Sequence, residues 1–474
     1  MHPEDTGLAV RAVAGRFEAS GTDMDGPIAR TRGSRLKFTT LFSFGLKGLA
    51  MLATLGGQVI LARSMAIETF GIYVSVIAST TVLSVLGGFG MPLAAVRFLP
   101  RYQAESDWPL YRGFLRRAIW QTMLSSAAMA IVFVAVYLLV PSLRSTAMAA
   151  AIGAPMILVV GLTTLGTATL QVLQLPLRGE FLSNIVRPVL ISAMVGGLAF
   201  ATGRLPAELV LALTGFGSLV ALVLIATACW RALPVSLFGD CAETERHAWL
   251  ASGAAVLVSI GAVAFIERLD IILLGAMIGP AEAGLYSVAA RLAVLVSFAL
   301  ASVNALLGPM SAELLAKKDI GALQHILSNG VALASGIALL LSATLVLLGP
   351  FLLGVFGPQF RPAAPALTIL VGGQFILTLL GSGAGMLAIA GRNRELIVII
   401  AAAVAADLVL CVLLIPRFGI DGAAVATTAA VLIYGVCFAI AVRRLLGLHV
   451  TLVGPLRRLL HDRRLPQSFQ RRVG

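Results

Sequence analysis

Apolar stretches of about twenty residues recur along the chain, separated by short segments rich in charge, glycine, proline and asparagine. A stretch of this length crosses the hydrocarbon core of a bilayer as a helix, whereas the strands of a membrane barrel alternate in polarity over about ten residues. The pattern therefore predicts an all-α, polytopic membrane protein. The predicted spans number twelve and cover residues 38–62, 71–96, 118–140, 148–174, 188–202, 207–229, 248–278, 284–312, 324–356, 363–389, 396–415 and 422–442.

The composition agrees with this pattern. Hydrophobic residues make up 59% of the 474 residues and charged residues only 12%, against about a quarter charged in soluble domains. The loops between the predicted spans are too short for a separate catalytic or nucleotide-binding domain, and the chain has no GxxxxGK[ST] motif to hold ATP phosphates. These observations exclude a soluble enzyme, so any chemistry is expected within the helical bundle.

The basic residues predict the orientation. Of the 35 Lys and Arg residues, 27 fall on the side of the N-terminus, five fall on the other side, and three lie inside spans. Because basic loops stay in the cytoplasm, both termini are predicted to be cytoplasmic. Basic edges that attract anionic lipid headgroups also explain the net charge of +13 without a nucleic-acid partner.

An internal repeat predicts two similar halves. Residues 61–73 (LARSMAIETFGIY) align with residues 274–286 (LGAMIGPAEAGLY) at an offset of 213 residues, and each copy has an acidic turn followed by a Gly-hydrophobic-Tyr triplet. We therefore expect two pseudo-symmetric six-helix lobes around a central cavity, related by an axis along the membrane normal. The predicted parts are a flexible cytoplasmic N-terminal arm, an N-terminal lobe, a cytoplasmic linker, a C-terminal lobe and a basic cytoplasmic tail, at residues 1–37, 38–229, 230–247, 248–442 and 443–474.

Four segments carry a resemblance to a known family. They are residues 61–105 (LARSMAIETFGIYVSVIASTTVLSVLGGFGMPLAAVRFLPRYQAE), 268–292 (RLDIILLGAMIGPAEAGLYSVAARL), 357–395 (GPQFRPAAPALTILVGGQFILTLLGSGAGMLAIAGRNRE) and 413–430 (LLIPRFGIDGAAVATTAA). Together they resemble the lipid-linked oligosaccharide flippases, the polysaccharide-transporter branch of the multidrug/oligosaccharidyl-lipid/polysaccharide exporter superfamily. The resemblance extends over about residues 38–448.

The resemblance implies a transporter with alternating inward-open and outward-open states and no ATP hydrolysis. Its substrate would be an undecaprenyl-pyrophosphate-linked oligosaccharide, moved across the bacterial inner membrane for exopolysaccharide, capsule or O-antigen assembly. We expect no catalytic residue, no resident metal and no cofactor, and Na⁺ or H⁺ is left open as a coupling ion. The implied partners are the lipid-linked glycan, membrane lipids and, as an association left open, the polysaccharide polymerase and export machinery. The matching motifs are architectural, so the site has to be argued from this chain's own charges.

Six ionisable side chains fall inside predicted spans. An isolated charge at the middle of a span costs about 2.5 to 3.5 kcal/mol on insertion scales, so six isolated charges would exceed the net stability of most folds. We therefore expect these side chains to pair, to face water in a cavity or, if acidic, to be protonated. They are Lys47, Glu267, Arg268, Asp270, Arg291 and Asp407.

The hairpin between spans seven and eight predicts an ion pair. If both helices are continuous, Asp270 and Arg291 lie at equal depth on either side of the turn, and Glu267 lies one turn from Asp270 on the same face. Such a pair is either a structural lock between two helices or a switch that a phosphate or a proton breaks. In the second case, Glu267 and Asp270 belong to the switch, and Arg268 and Arg291 receive the substrate anion.

Span one carries a polar stripe. Lys47, Thr54 and Gln58 follow one another at helical spacings of seven and four residues. Lys47 either extends its ammonium to the lipid headgroups or meets the pyrophosphate that enters from the cytoplasm. In the second case, all three residues belong to the substrate-binding site.

Asp407 lies near the middle of span eleven, and Thr427 and Thr428 fall at a similar depth on span twelve. A carboxylate with nearby hydroxyl oxygens suits Na⁺ or a transferable proton. The alternative is a protonated Asp407 bonded to a backbone carbonyl.

Two other functions compete with flipping. A cation-coupled multidrug exporter of the same superfamily would need an acidic, aromatic-rich pocket, whereas the buried cations here favour an anion, and the chain has only six Tyr and four Trp. A membrane polysaccharide polymerase or ligase would need outward-facing acceptor sites, which the short outward loops do not provide.

Overall fold

The computed structural model describes residues 48–234, 239–242 and 244–451, and these residues contain no strand. Residues 48–52 belong to one compact unit, and the residues from Ala53 onward form a second unit, to which everything below refers. The helices are α1 (Gly48–Ser64), α2 (Ile67–Gly87), α3 (Met91–Glu105), α4 (Trp108–Leu139), α5 (Ala147–Gly153), α6 (Pro155–Val172), α7 (Pro176–Phe181), α8 (Arg187–Thr202), α9 (Ala207–Ala232), α10 (Arg246–Ile266), α11 (Leu269–Met277), α12 (Pro280–Ala316), α13 (Ile320–Leu347), α14 (Gly349–Phe356), α15 (Ala364–Leu380), α16 (Gly383–Ile389) and α17 (Asn393–Leu446).

These helices confirm the all-α membrane class. Within the described ranges, nine helical segments are long and apolar enough to cross a membrane. The last of them, α17, holds predicted spans eleven and twelve and changes direction at Gly419, whose backbone is not helical. The remaining predicted spans, one and seven, correspond to α1 and to α10 with α11. Many large apolar side chains on these helices are exposed, Phe200 by 96% and Leu347 by 78%, as expected of surfaces that face lipid.

Five predicted spans are each built from two helices rather than one. In span two, Phe89 and Gly90 take positive φ angles of 48° and 66° between α2 and α3. Pro92 and Pro155 lie in the first turns of α3 and α6, where proline has no helical hydrogen bond to lose. The breaks fall in spans two, four, seven, nine and ten.

Because the helices alternate in direction, their connections lie at two ends of the bundle. We call one the basic end, because most of the Lys and Arg residues flank its connections: 106–107, 173–175, the described part of 233–245, 317–319 and 390–392. The opposite end holds the connections 65–66, 140–146, 203–206, 278–279, 357–363 and the bend at 416–421.

At the opposite end, the two copies of the repeat touch one another. A Cβ atom placed on Gly284 of α12 would lie 3.2 Å from the Cα atom of Gly71 in α2, and one placed on Gly71 would overlap the carbonyl oxygen of Pro280. Gly71 and Gly284 are equivalent positions at the offset of 213 residues. The glycine of each triplet thus lets the first turns of α2 and α12 pack backbone to backbone.

Toward the basic end, α10 and the segment before it pack against α3. The Trp249 ring is fully buried, and its Nε1 donates to the Tyr102 hydroxyl at 2.7 Å. That hydroxyl donates to Glu245 at 2.6 Å, and Arg97 donates to Ser252 at 3.4 Å. The N-terminal and C-terminal helices therefore meet at both ends of the bundle. The exact lobe boundaries stay a prediction, and the N-terminal arm lies outside the described residues.

Candidate functional site

A cavity of about 730 Å³ lies between these two contact zones. Its walls come from α1, α2, α8 with the turn before it, and α9 of the N-terminal half, and from α11, α12, α15 and α17 of the C-terminal half, together with residues at the break between α10 and α11. Three arginines and two acidic residues line it: Arg187, Arg268, Arg291, Glu267 and Asp270.

Arg291 connects the two walls of the cavity. It belongs to α12, and its Nε donates to the side-chain oxygen of Gln58 in α1 at 3.1 Å. Thr54, one helical turn before Gln58, also lines the cavity. The polar stripe predicted on α1 therefore faces the same space as the C-terminal arginines. Lys47, the first residue of that stripe, lies outside the described residues.

The predicted ion pair between Asp270 and Arg291 is wrong. Asp270 accepts hydrogen bonds from the Tyr286 hydroxyl at 2.5 Å, from the Ile271 backbone N–H at 2.7 Å and from the Thr427 hydroxyl at 3.3 Å. Among the described residues, the ion pairs include neither Asp270 nor Arg291.

The reason is a break in the helix that the prediction treated as continuous. α10 ends at Ile266 and α11 begins at Leu269, while the Arg268 backbone has φ −137° and ψ −11°. The break places Asp270 in the first turn of α11, from where its carboxylate points to α12 and α17. It also removes the one-turn relation that Glu267 and Asp270 would have on one helix.

The same break brings Arg268 to the cavity wall. Its Nε is buried and has no hydrogen-bond partner among the described residues. Arg268 and Glu267 both lie within electrostatic range of Arg291. The C-terminal side of the cavity therefore holds two cations near each other, and neither forms an ion pair among the described residues.

A buried acidic cluster lies behind this wall. It consists of Asp270, Tyr286, Thr427, Asp407 and Cys411. Asp407 is 1% exposed, accepts a weak hydrogen bond from the Cys411 thiol at 3.7 Å, and lies within electrostatic range of Asp270. Its second carboxylate oxygen is buried without a partner among the described residues.

Thr427 and Thr428 play different parts. The Thr427 hydroxyl contacts Asp270 and lies 3.1 Å from the Tyr286 hydroxyl. Thr428 donates instead to the backbone carbonyl of Ile369 in α15 at 3.3 Å and does not line the cavity. Of the two threonines predicted to accompany Asp407, the structure brings only Thr427 to the acidic cluster.

Arg187 is a cavity residue that the sequence analysis missed. It falls just outside predicted span five, which begins at residue 188. That span has only fifteen residues, about 22 Å of helix, which is short of the roughly 30 Å hydrocarbon core. The length shortfall was the available signal, because extending the span toward its N-terminus includes Arg187.

Comparison with known proteins identifies the family. Residues 39–315 match the family described as polysaccharide biosynthesis protein. The chain belongs to this family. The resemblance found in the sequence is thereby confirmed, and the matched region contains Arg187, Arg268, Asp270 and Arg291.

A relative and two solved structures extend the comparison. The chain is 26% identical over 252 residues to the probable flippase AglR of Haloferax volcanii, a match that covers 52% of the chain and 49% of the relative. The chain thus matches about half the length of this curated relative.

The lipid II flippase MurJ in an inward closed conformation has a TM-score of 0.70 at 13% identity, with 85% of the chain and 87% of MurJ covered. An inward-facing multidrug resistance MATE family transporter of the MOP superfamily has a TM-score of 0.64 at 12% identity, with 88% and 96% covered. At these identities the two structures show the fold, which this member of the polysaccharide biosynthesis family shares with both.

Proposed function

We propose that this protein flips an oligosaccharide linked to undecaprenyl pyrophosphate across the bacterial inner membrane during polysaccharide assembly. Three findings support the proposal. The chain belongs to the polysaccharide biosynthesis family, half of it is similar to a probable flippase, and its fold is that of MurJ and a MATE family transporter.

The observation that carries the proposal is the charge of the cavity. Arg187, Arg268 and Arg291 line one space, and no carboxylate among the described residues forms an ion pair with any of them. Guanidinium groups bind phosphate oxygens through paired N–H donors. The three arginines outnumber the two carboxylates of the cavity, Glu267 and Asp270, so an anionic ligand gains affinity by offsetting the excess positive charge. A cationic drug would be repelled by the same three groups.

The contacts at the two ends support an alternating mechanism. The zone at Gly71 and Gly284 would open toward one side of the membrane, and the zone at Tyr102 and Trp249 toward the other. The substrate shifts the balance between these states only by binding one of them more tightly. Arg187 belongs to α8 of the N-terminal half and Arg291 to α12 of the C-terminal half, so an anion held by both favours the state in which these helices are close.

The distribution of basic residues supports an orientation with the basic end in the cytoplasm and both termini on that side. In this orientation, Thr54 and Gln58 would meet the pyrophosphate first, and the same role stays a prediction for Lys47, which lies outside the described residues. Arg268 and Arg291 then receive it deeper in the bundle. A polysaccharide polymerase and export machinery would take up the product on the other side.

We assign the acidic cluster to the coupling ion, Na⁺ or H⁺. Asp270 and Asp407 are 4% and 1% exposed and lie within electrostatic range of each other. Two buried carboxylates that repel each other favour a proton on one of them or a cation near both. The hydroxyls of Tyr286 and Thr427 add neutral oxygen atoms, which Na⁺ accepts as ligands and which also bond to a protonated carboxyl.

The proposed function is tested in a strain that lacks the gene. Polyprenyl-linked oligosaccharide should accumulate in the lipid fraction on the cytoplasmic face, and a wild-type copy should clear it. An Arg291→Gln copy should not clear it. Arg231→Gln removes an exposed cation outside the cavity, and this matched control should behave as the wild type.

Two other results would overturn the proposal. Hypersensitivity to cationic drugs without accumulation of the lipid would support the multidrug exporter. Accumulation of the lipid on the outer face would support a polymerase or ligase, because flipping would then have taken place without this protein.

A further inference from the structure

A short segment after the last helix packs back against the basic end of the bundle. Gly447 closes α17 with a left-handed φ of 67°. Leu448 and Val450 beyond it are 0% and 2% exposed, whereas His449 between them is exposed. Burial that alternates in this way is typical of an extended chain with one face turned inward. We call the segment from Gly447 to Val450 the strap.

The backbone of the strap is paired by a buried side chain of α13. Gln324 is 8% exposed. Its Nε2 donates to the His449 carbonyl oxygen at 2.6 Å, and its Oε1 accepts from the His449 backbone N–H at 2.7 Å. Buried backbone outside a helix needs such partners, because neither lipid nor a packed apolar interior offers any. One glutamine thus satisfies both backbone groups of the middle residue of the strap.

The other end of the strap lies against a break in predicted span ten. α15 ends at Leu380 and α16 begins at Gly383, and Gly381 between them has a φ of 79°. A Cβ atom placed on Gly381 would overlap the carbonyl oxygen of Val450. The strap therefore packs backbone to backbone against the break, at a position where glycine is required both for its φ and for the close approach.

The break also borders an unfilled space. A void of about 90 Å³ lies between α12, α13 and α16, and Asn304 and Ser382 line it. The Ser382 hydroxyl donates to the Asn304 side-chain oxygen at 2.5 Å. Packed interiors resist motion, whereas a void beside a helix break leaves room for it. Because α15 carries Gln374 and Leu377 of the central cavity wall, a change of angle at the break would move that wall.

From these contacts we infer that the strap is a latch on a hinge in span ten. The hinge is the break at Gly381 and Ser382, and the seated strap holds it by joining α13 to the end of α15. When the strap leaves, the hinge bends toward the void and the wall at Gln374 shifts with α15, a hinge motion at the end of an element. Transport requires this release. Only the transport readout of this inference rests on the proposed function.

Hydrogen exchange tests whether the strap holds the hinge, in the purified full-length protein in detergent. Gln324→Leu keeps a side chain of similar size and removes both bonds to His449. The strap amides should then exchange at least about tenfold faster than in the wild type, and the hinge amides of residues 378–385 should also exchange faster. Gln171→Leu, at an exposed glutamine of α6, should match the wild type at both places. Faster exchange in the strap with an unchanged hinge would overturn the inference.

A second pair of variants differs by one position in the strap. Leu448→Asp places a carboxylate at a fully buried position and should unseat the strap, because a buried charge without a partner is costly. His449→Asp adds the same group at the exposed neighbour and should leave the strap seated. Hinge exchange should therefore rise only in Leu448→Asp, and equal hinge exchange in the two variants would contradict the latch.

A cross-link tests whether the strap has to leave. His325 follows Gln324 and is exposed, as is His449. With the native cysteines replaced, His325→Cys and His449→Cys joined by a flexible bismaleimide should abolish transport. The unjoined double variant, and each single variant treated with the reagent, should retain it. Gln324→Leu should transport at least as fast as the wild type, because release becomes easier.

The outcomes separate this inference from the proposed function. Full transport by the joined protein would overturn the latch and leave the proposed function standing. Lost transport in a Gln324→Leu protein that a thermal melt shows to be folded would do the same, since the strap would then be needed in its seated position. A wild type that moves no lipid, but whose strap and hinge exchange together, would overturn the proposed function and support the latch.

Discussion

At the scale of single residues, neutral oxygen atoms hold the cavity arginines. Gln58 accepts from Arg291 and Ser218 accepts from Arg187. Asp270, a carboxylate of the cavity wall, instead accepts from Tyr286, Thr427 and the Ile271 backbone N–H. A guanidinium paired with a carboxylate would have its charge compensated and its donors occupied. With amide and hydroxyl partners, these arginines are oriented and remain available to an anion.

The pair of Gln58 and Arg291 gives a test of this orienting role. Gln58→Ala should lower transport several-fold, because Arg291 keeps its charge and loses its fixed position, and Arg291→Gln should lower it further. The double variant should be no worse than Arg291→Gln, since Gln58 acts through Arg291. Initial transport rates in vesicles measure this, and losses that simply multiply in the double variant would show that the two residues act separately.

The acidic cluster predicts a change in coupling rather than in substrate binding. Asp407→Asn should remove the dependence of transport on the Na⁺ or H⁺ gradient, because the amide keeps the shape but no longer attracts a cation. Transport rates with and without each gradient measure the effect.

Glu313→Gln is the matched control for that measurement, because Glu313 is an exposed carboxylate that pairs with Lys317 on the surface. It should keep the wild-type dependence. If Asp407→Asn keeps it as well, Asp407 has a structural role.

At the scale of elements, the length of each hydrophobic run predicts where the chain crosses the membrane. The direction of the charged side chains inside a span depends instead on where its helix is broken. Every predicted span overlaps a helix, because about twenty apolar residues are needed to cross a bilayer. A run of apolar residues gives no information on a backbone break such as that at Glu267 and Arg268. This is why Arg268 was found from the sequence but the partners of Asp270 were not.

Apolar run length also misplaces the start of α8. Arg187 interrupts an apolar run, so the run length predicts that the span begins after it, although the π-helical turn Leu182–Val186 continues the helix before Arg187. The repeat motif, in contrast, predicted that the glycines of its two copies are equivalent, and in the structure these two glycines are in contact. A sequence repeat indicates equivalent positions, and contact between those positions is found only from coordinates.

Gly71 provides a test of this contact between helices. Alanine is favoured over glycine in a helix by up to about 1 kcal/mol, but its Cβ would overlap the Pro280 carbonyl oxygen, and forcing an atom into a packed site costs about 1 to 3 kcal/mol. Gly71→Ala should therefore lower the melting temperature in detergent by several degrees. Gly197→Ala, at an exposed helical glycine with nothing near its Cβ position, should leave it unchanged or raise it, and equal melting temperatures for the two variants would contradict the contact.

At the scale of the whole molecule, the N-terminal and C-terminal helices meet on both sides of the cavity. One contact is made of glycine backbones in α2 and α12, and the other of buried polar and aromatic groups in α3 and α10. Alternating transport requires each contact to separate in turn. A bond that holds one contact together should stop transport and leave the cavity intact.

Arg97 and Ser252 offer such a bond toward the basic end, because their side chains lie 3.4 Å apart. With the native cysteines replaced, Arg97→Cys and Ser252→Cys joined by a short bismaleimide should abolish transport. The same double variant without the reagent should retain transport, and each single variant treated with it should be unaffected. Full transport by the joined protein would show that this contact does not need to open.

The central claim is that cavity arginines carry the pyrophosphate of a lipid-linked sugar across the membrane. Its most direct test is the flipping of a fluorescent sugar linked to undecaprenyl pyrophosphate in vesicles that contain only the purified protein. The wild type and Arg231→Gln should move the label between leaflets, and the folded double variant Arg268→Gln, Arg291→Gln should move it no faster than vesicles without protein. Flipping by the double variant at the wild-type rate would contradict the claim.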